Sequence, residues 1–64
     1  MNEAIARIRR AVTTDGLKKS ALAAEAKIRA ETLSGLEDPD WNPRVSTIRA
    51  LTEALDRIAA RLAA

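Results

Sequence analysis

The stretch Lys19–Leu36, KSALAAEAKIRAETLSGL, permits few folds. Its apolar residues Leu22, Ala23, Ala26, Ile28, Leu33 and Leu36 divide on either side of a break at Ala26, Lys27 and Ile28. Leu22 and Ala26 stand four apart and share one helix face, with Ala23 beside it. The alanine-rich run 18–26 has high helix propensity. The spacing predicts two short helices joined by a tight turn and crossing steeply, with small side chains at the crossing. The second helix is expected over about Arg29–Leu36, with Leu33 and Leu36 inward. Ala30, Glu31, Ser34 and Gly35 would face outward, and Thr32 would lie between the two faces. Such a pair is a common way to offer one helix to the major groove of DNA. Periodicity alone also permits one unbroken helix through the same residues.

The flanking segments extend the helical pattern. Asn2 is expected to cap a first helix, with Glu3 at its positive dipole end. Ile5, Ile8 and Val12 share a face of that helix, with Ala4 and Ala11 beside them. Thr13, Thr14, Asp15 and Gly16 end it, and the glycine suits the left-handed conformation that closes a helix. Leu17 opens the next element. Glu37 to Pro43, EDPDWNP, is a loop, because two prolines and several Asp/Asn residues break any helix there. The only aromatic residue, Trp41, is expected to anchor this loop on the core, with direct ligand contact as the alternative. A last, long helix starts at Pro43 after an Asn42 cap, or after Ser46, and runs to near the carboxyl end. Its apolar residues Ile48, Leu51, Leu55, Ile58 and Leu62 form a heptad seam of about two repeats. The fold class is therefore all-α: one domain over residues 1–64, a small bundle of four helices with a helix-turn-helix inside it.

Composition narrows the function. At 64 residues the chain supports one modest core, and a domain this small buries only ~60% of its unfolded surface. Without cysteine no disulfide staples it, and without histidine the usual zinc sites are gone. No cofactor or metal is expected. General acid–base and nucleophilic chemistry is poorly supplied, since His, Cys and Tyr are all absent and there is no glycine-rich phosphate loop. An enzyme is not expected. Neither a signal peptide nor a membrane span is apparent, so a soluble cytoplasmic protein is the expectation. The formal charge of +2 is unevenly spread. Arg7, Arg9, Arg10, Lys18, Lys19, Lys27 and Arg29 crowd the first 36 residues, against four acids there. A positive half suits a polyanionic partner, although ordinary solvated helix surface would look the same.

The joint spacing resembles the lambda-repressor/Cro-like (XRE-type) helix-turn-helix family of bacterial and phage DNA-binding proteins. In that family a leucine–alanine pair opens the first motif helix, here Leu22–Ala23. A turn residue, often glycine, precedes a hydrophobic one, here Lys27 before Ile28. The second motif helix carries inward apolar residues, here Leu33 and Leu36, and a glutamate often follows, here Glu37. A proline then opens a helix whose apolar residues match Val45, Ile48, Leu51 and Leu55. The resemblance spans Leu17–Leu55. The chain departs from the family at Lys27, where a non-glycine must turn the chain in a left-handed or similar conformation at a cost of ~1 kcal/mol. It departs again at Lys18 and Arg29, where Ser or Thr caps are common, and in its acidic loop. The family's fifth helix is not separate here.

The resemblance implies a sequence-specific transcriptional regulator, of small phage or prophage repressor type, that binds double-stranded DNA as a homodimer on paired half-sites. Base reading would fall to Ala30, Glu31, Ser34 and Gly35, with Arg29 and Thr32 at the margin. Lys19 matches a phosphate-contacting position, and Lys18, Lys27 and Arg44 are further phosphate candidates. Arg29 could read a guanine, hold a phosphate, or pair with Glu25 across one helical turn. Glu31 could accept from a cytosine amino group or stay solvated. For the dimer, Leu55, Ile58 and Leu62 in segment 55–64 offer a surface, the alternative being packing on Ile5, Ile8 and Val12 within the chain. A different class of function also fits: a protein-interaction module, such as an antitoxin or adaptor, that holds a partner with the last helix.

Overall fold

A computed structural model describes residues 3–63. Three α-helices are present among them: α1 (Glu3–Thr13), α2 (Lys19–Ala26) and α3 (Val45–Ala63). A single 3-10 turn, Ala30–Leu33, stands between α2 and α3. No described residue lies in a strand. The all-α expectation holds; the count of four helices does not. The expected cap at Asn2 lies outside the described residues.

The helix expected over Arg29–Leu36 is replaced by the 3-10 turn, and local competition for hydrogen bonds explains why. In an α-helix the Glu31 carbonyl would accept from Gly35 and the Thr32 carbonyl from Leu36. Instead the Ser34 amide (3.1 Å) and the Ser34 hydroxyl (2.8 Å) both donate to the Glu31 oxygen. The Trp41 indole N–H donates to the Thr32 oxygen at 3.1 Å. The Leu36 amide therefore turns to Leu33, also at 3.1 Å. Arg29 supplies no side-chain cap, so nothing at the start favours a wider helix. Side-chain donors that bind nearby carbonyls offer the backbone this alternative to a helix.

The two tight turns form as expected. Gly16 closes α1 with φ of 74°. Lys27 ends α2 in the left-handed region (φ 59°, ψ 41°), its amide reaching back to the Ala23 and Ala24 carbonyls. Lys18 makes no side-chain cap at the start of α2. Lys27→Gly is therefore expected to raise stability by about 0.5–1 kcal/mol. A left-handed penalty of ~1–2 kcal/mol is relieved, less ~0.4–1 kcal/mol for the freer unfolded chain. Urea denaturation with an unchanged m-value would register this gain as a higher midpoint.

All four elements feed one core. Ile8 and Ala11 of α1, Leu22 and Ala23 of α2, Leu33 and Leu36 around the 3-10 turn, and Leu51, Ala54 and Leu55 of α3 are buried together. Val12, Leu17, Ala26, Ile28, Trp41 and Ile58 pack against them, half-buried. Trp41 thus anchors the loop: a Cβ on Gly35 would come within 3.4 Å of its ring. α3 begins at Val45, between the two predicted starts, with the Arg44 carbonyl accepting from Ile48. Ion pairs tie the helices at their rims. Arg7 of α1 meets Asp56 of α3 at 2.7 Å. Arg57 (3.0 Å) and Arg61 of α3 both hold Glu25 of α2. No helix among the described residues is long and apolar enough to cross a membrane.

Candidate nucleic-acid interface

The segment from Lys27 to Gly35 lies over the core and shows its polar side to solvent. Leu33 and Leu36 are fully buried beneath it. Lys27, Arg29, Ala30, Glu31, Thr32 and Ser34 are exposed, and Gly35 is half-buried under the Trp41 ring. Ala30, Glu31 and Ser34 thus stay outward on the tighter turn, because the inward pair is the same, whereas Gly35, expected outward as well, is covered by Trp41. The spacing of the outward side chains differs: a 3-10 turn rises ~2.0 Å per residue with three residues per turn. Residues three apart eclipse one another, so Glu31 and Ser34 stand in line. The Ser34 hydroxyl spends its proton on the Glu31 carbonyl, which leaves its oxygen as an acceptor toward solvent.

Further cations stand at the start of α2 and just before α3. Lys18 and Arg44 are exposed, and Lys19 is half-buried at the start of α2. Lys19 reaches Glu37 at 3.5 Å. Among the described residues no ion pair engages Lys18, Lys27, Arg29 or Arg44. The alternative pairing of Arg29 with Glu25 is not realised. α2 ends before a full turn could join them, and Glu25 is taken by Arg57 and Arg61.

Hydrogen bonds from Arg61 and then Arg57 hold the Glu25 carboxyl below the ordinary glutamate range. A carboxyl lowered in the folded state stabilises the fold above its unfolded pKa, and that contribution disappears as pH falls through the folded value. Glu25→Gln is therefore expected to flatten the acid limb of a stability–pH profile below about pH 4.3, the unperturbed value. Denaturation midpoints taken between neutral pH and pH 2 would show the two profiles converging at the acid end.

The acidic loop is largely occupied by its own neighbours. Glu37 pairs with Lys19, and an Asp38 carboxylate oxygen accepts from the Asp40 amide at 2.9 Å. Arg9, in the sequence only one of the cations of the first half, ties α1 to the far end of this segment. Arg9 of α1 donates from Nε to the Leu36 carbonyl and from Nη2 to the Asp38 carbonyl, both at 2.8 Å. Those carbonyls follow the 3-10 turn, so α1 fixes where the outward surface ends. In sequence Arg9 is one of three arginines on an ordinary helix, and contacts 27 and 29 residues away leave no local pattern.

The residues assigned to dimerisation divide. Leu55 is 7% exposed and belongs to the core, so the surface role expected for it is corrected. It packs in the same cluster as Ile8 and Ala11, the intramolecular alternative. Ile58 is half-buried against that cluster, and Leu62 is 82% exposed.

The chain matches no protein-family model, no curated protein and no solved structure.

Proposed function

We propose that the protein binds double-stranded DNA sequence-specifically and regulates transcription, as a small repressor of the helix-turn-helix kind. The observation that carries this reading is the exposed run 29–32, seated on buried Leu33 and Leu36 and bearing Arg29, which, like Lys27 before it, enters no ion pair among the described residues. A protruding polar surface on a rigid base is what major-groove entry needs, and cations at its edges supply phosphate contacts. In this reading Ala30, Glu31 and Ser34 approach base edges, with Arg29 and Thr32 beside them and Gly35 beneath the Trp41 ring. Glu31 and the Ser34 oxygen are both acceptors, matched to an amino group such as that of cytosine or adenine. Lys18, Lys19, Lys27 and Arg44 hold phosphates. The Lys19–Glu37 pair is no obstacle, since an exposed pair is worth only about 0–1 kcal/mol and exchanges readily for a phosphate. Such a regulator works in the cytoplasm, and two copies would read paired half-sites one DNA turn apart.

Selection of bound sequences from random duplex DNA tests the proposal. A short motif, repeated with two-fold symmetry, is the expected result. Lys19→Ala should weaken binding to that motif several-fold while far-UV helicity is unchanged. Recovery of no enriched sequence would remove the reading. The protein-interaction alternative draws on Leu62, since Leu55 is committed to the core.

A further inference from the structure

The core beneath the segment 30–36 does not decide its shape. Leu33 and Leu36 are buried and three apart, and that spacing faces inward in an α-helix and in a 3-10 turn alike. Intrinsic propensity adds only a weak bias: Thr32, Ser34 and Gly35 are poor helix formers, and Arg29 supplies no cap. The tight form is held by donors on two carbonyls. The Ser34 hydroxyl takes Glu31 at 2.8 Å, a local bond. The Trp41 indole N–H takes Thr32 at 3.1 Å, from a loop nine residues on. The same ring lies against Gly35, where an added Cβ would stand 3.4 Å from its Cδ1. This ring is itself well placed. The Trp41 amide donates to the Asp38 carbonyl at 3.0 Å, and Arg9 of α1 donates to that same carbonyl at 2.8 Å. A chain of contacts therefore runs from α1 through Asp38 and Trp41 to the middle of the segment.

We propose that Trp41 is a positioning residue that sets sequence specificity: its indole holds the segment in the 3-10 form and so fixes which base edges Glu31 and Ser34 reach together. In that form the two stand in line, ~6 Å apart along the axis at ~2.0 Å per residue. In an α-helix they would be ~4.5 Å apart and turned ~60° from each other. Hydrogen bonds to base edges are directional, so acceptors set at one spacing do not replace acceptors set at the other. The fixed ends of the segment are a rival cause. Lys27 turns the chain at one end and Arg9 ties the Leu36 and Asp38 carbonyls at the other. The hydrogen bonds favour the indole. The Leu36 amide, which an α-helix would place on Thr32, donates to Leu33 instead, and the Thr32 carbonyl accepts from Trp41. The specificity role rests on the DNA-binding reading, whereas the form of the segment is measurable without DNA.

Trp41→Phe keeps an aromatic ring near Gly35 and removes the donor. Replacement of Trp41 by 3-benzothienylalanine, in a chemically synthesised full chain, keeps the shape of tryptophan with sulfur in place of the N–H, and serves if the smaller ring unfolds the domain. NMR without DNA reads the form of the segment. Cross-peaks from an Hα to the amide two residues on mark a 3-10 turn, and to the amide four residues on an α-helix. The unsubstituted chain should show the first over 30–36, and both variants should gain the second, above all from Thr32 to Leu36. Selection from random duplex DNA reads the consequence. The variant motif should differ from the original at the base positions that Glu31 and Ser34 face, with about a tenfold loss on the original motif. The salt slope should stay unchanged, because the phosphate-holding cations lie outside 30–36. A Trp41 that only stabilises the fold would weaken all sequences alike and leave the motif as it was, which overturns the proposal. So does a variant that keeps the 3-10 pattern, which would leave the fixed ends as the cause. If the unsubstituted chain selects no motif, the DNA-binding reading falls and the specificity role with it, while NMR still assigns or denies Trp41 its hold on the segment.

Discussion

Leu33→Ala is expected to cost about 2–5 kcal/mol of folding stability, the range for a buried leucine truncated where the surroundings only partly collapse. The whole domain has about 3–10 kcal/mol to lose, at the usual ~0.05–0.15 kcal/mol per residue. A large fraction of the stability should therefore be lost, with the urea midpoint of this variant far below that of the unsubstituted protein. The size of the effect separates two views of the Ala30–Leu33 segment. A surface turn with little tertiary attachment would lose a few tenths of a kcal/mol on such a change. This turn places Leu33 in the same buried cluster as Leu22 of α2 and Leu51 of α3, all three fully inaccessible. Short as it is, it is a structural member of the core. Urea denaturation followed by far-UV circular dichroism gives the number, and Trp41 fluorescence gives a local one. The Trp41 indole donates to Thr32 and its ring lies against Gly35. Its emission should shift at the same urea concentration as the helicity if turn and helices unfold as one unit. A cost below 1 kcal/mol, or a fluorescence transition well ahead of the helical one, would show that the turn is independent of the core.

The inward residues of the turn were legible in the sequence, and its helical type was not. Leu33 and Leu36 are apolar, three apart, and bounded by polar residues, so burial of both follows from pattern alone. A spacing of three fits an α-helix and a 3-10 turn equally. The choice depended on donors that periodicity does not register: the Ser34 hydroxyl on Glu31, and an indole nine residues away on Thr32. The left-handed turn at Lys27 was expected only through the resemblance, in which a glycine often stands there, since periodicity alone also permits one unbroken helix. α3 was legible through its long apolar repeat, but the use of that repeat was not. Ile48, Leu51, Leu55, Ile58 and Leu62 look equivalent along the sequence. Leu51 and Leu55 are buried in the cluster with residues of α1 and α2, whereas Leu62 is exposed. A helix of 19 residues is ~28 Å long at 1.5 Å per residue, and α1 and α2, at 11 and 8 residues, are too short to cover it. The candidate site divides in the same way. Its exposed residues follow from which neighbours are apolar. Arg9, which fixes the far end of the segment, acts across the fold and left no trace in local pattern.

Binding to the selected DNA motif is expected to weaken steeply with salt, and Arg29→Ala will show what that residue contacts. Each phosphate neutralised contributes a slope of about −0.9 in log affinity against log salt. Under the proposed reading, four phosphate contacts per chain, from Lys18, Lys19, Lys27 and Arg44, would give about −3.6 for one chain and −7 for two. Between 50 and 200 mM salt that amounts to a loss of ~10² or ~10⁴ in affinity, so the slope also counts the chains on the DNA. Arg29 is exposed, ends no helix and has no ion-pair partner among the described residues, so both fates remain chemically open to it. If it forks onto a guanine, Arg29→Ala should cost about 1–3 kcal/mol at one base position and leave the slope unchanged. If it holds a phosphate, the loss should be uniform across sequences and the slope should fall by about one per chain. Its place decides between these. It immediately precedes the 3-10 turn, one residue before Ala30 and two before Glu31, whereas the other cations lie at the ends of α2 or before α3. If the segment enters the groove as proposed, a residue so close to its outward face would lie nearer the base edges than the backbone ridges, and loss of discrimination at unchanged slope is the expected result. Filter binding or fluorescence anisotropy at four or five salt concentrations, on the selected motif and on single-base variants of it, measures slope and discrimination together. A slope near zero for the unsubstituted protein would exclude phosphate contact by these cations, and the assigned surface with it.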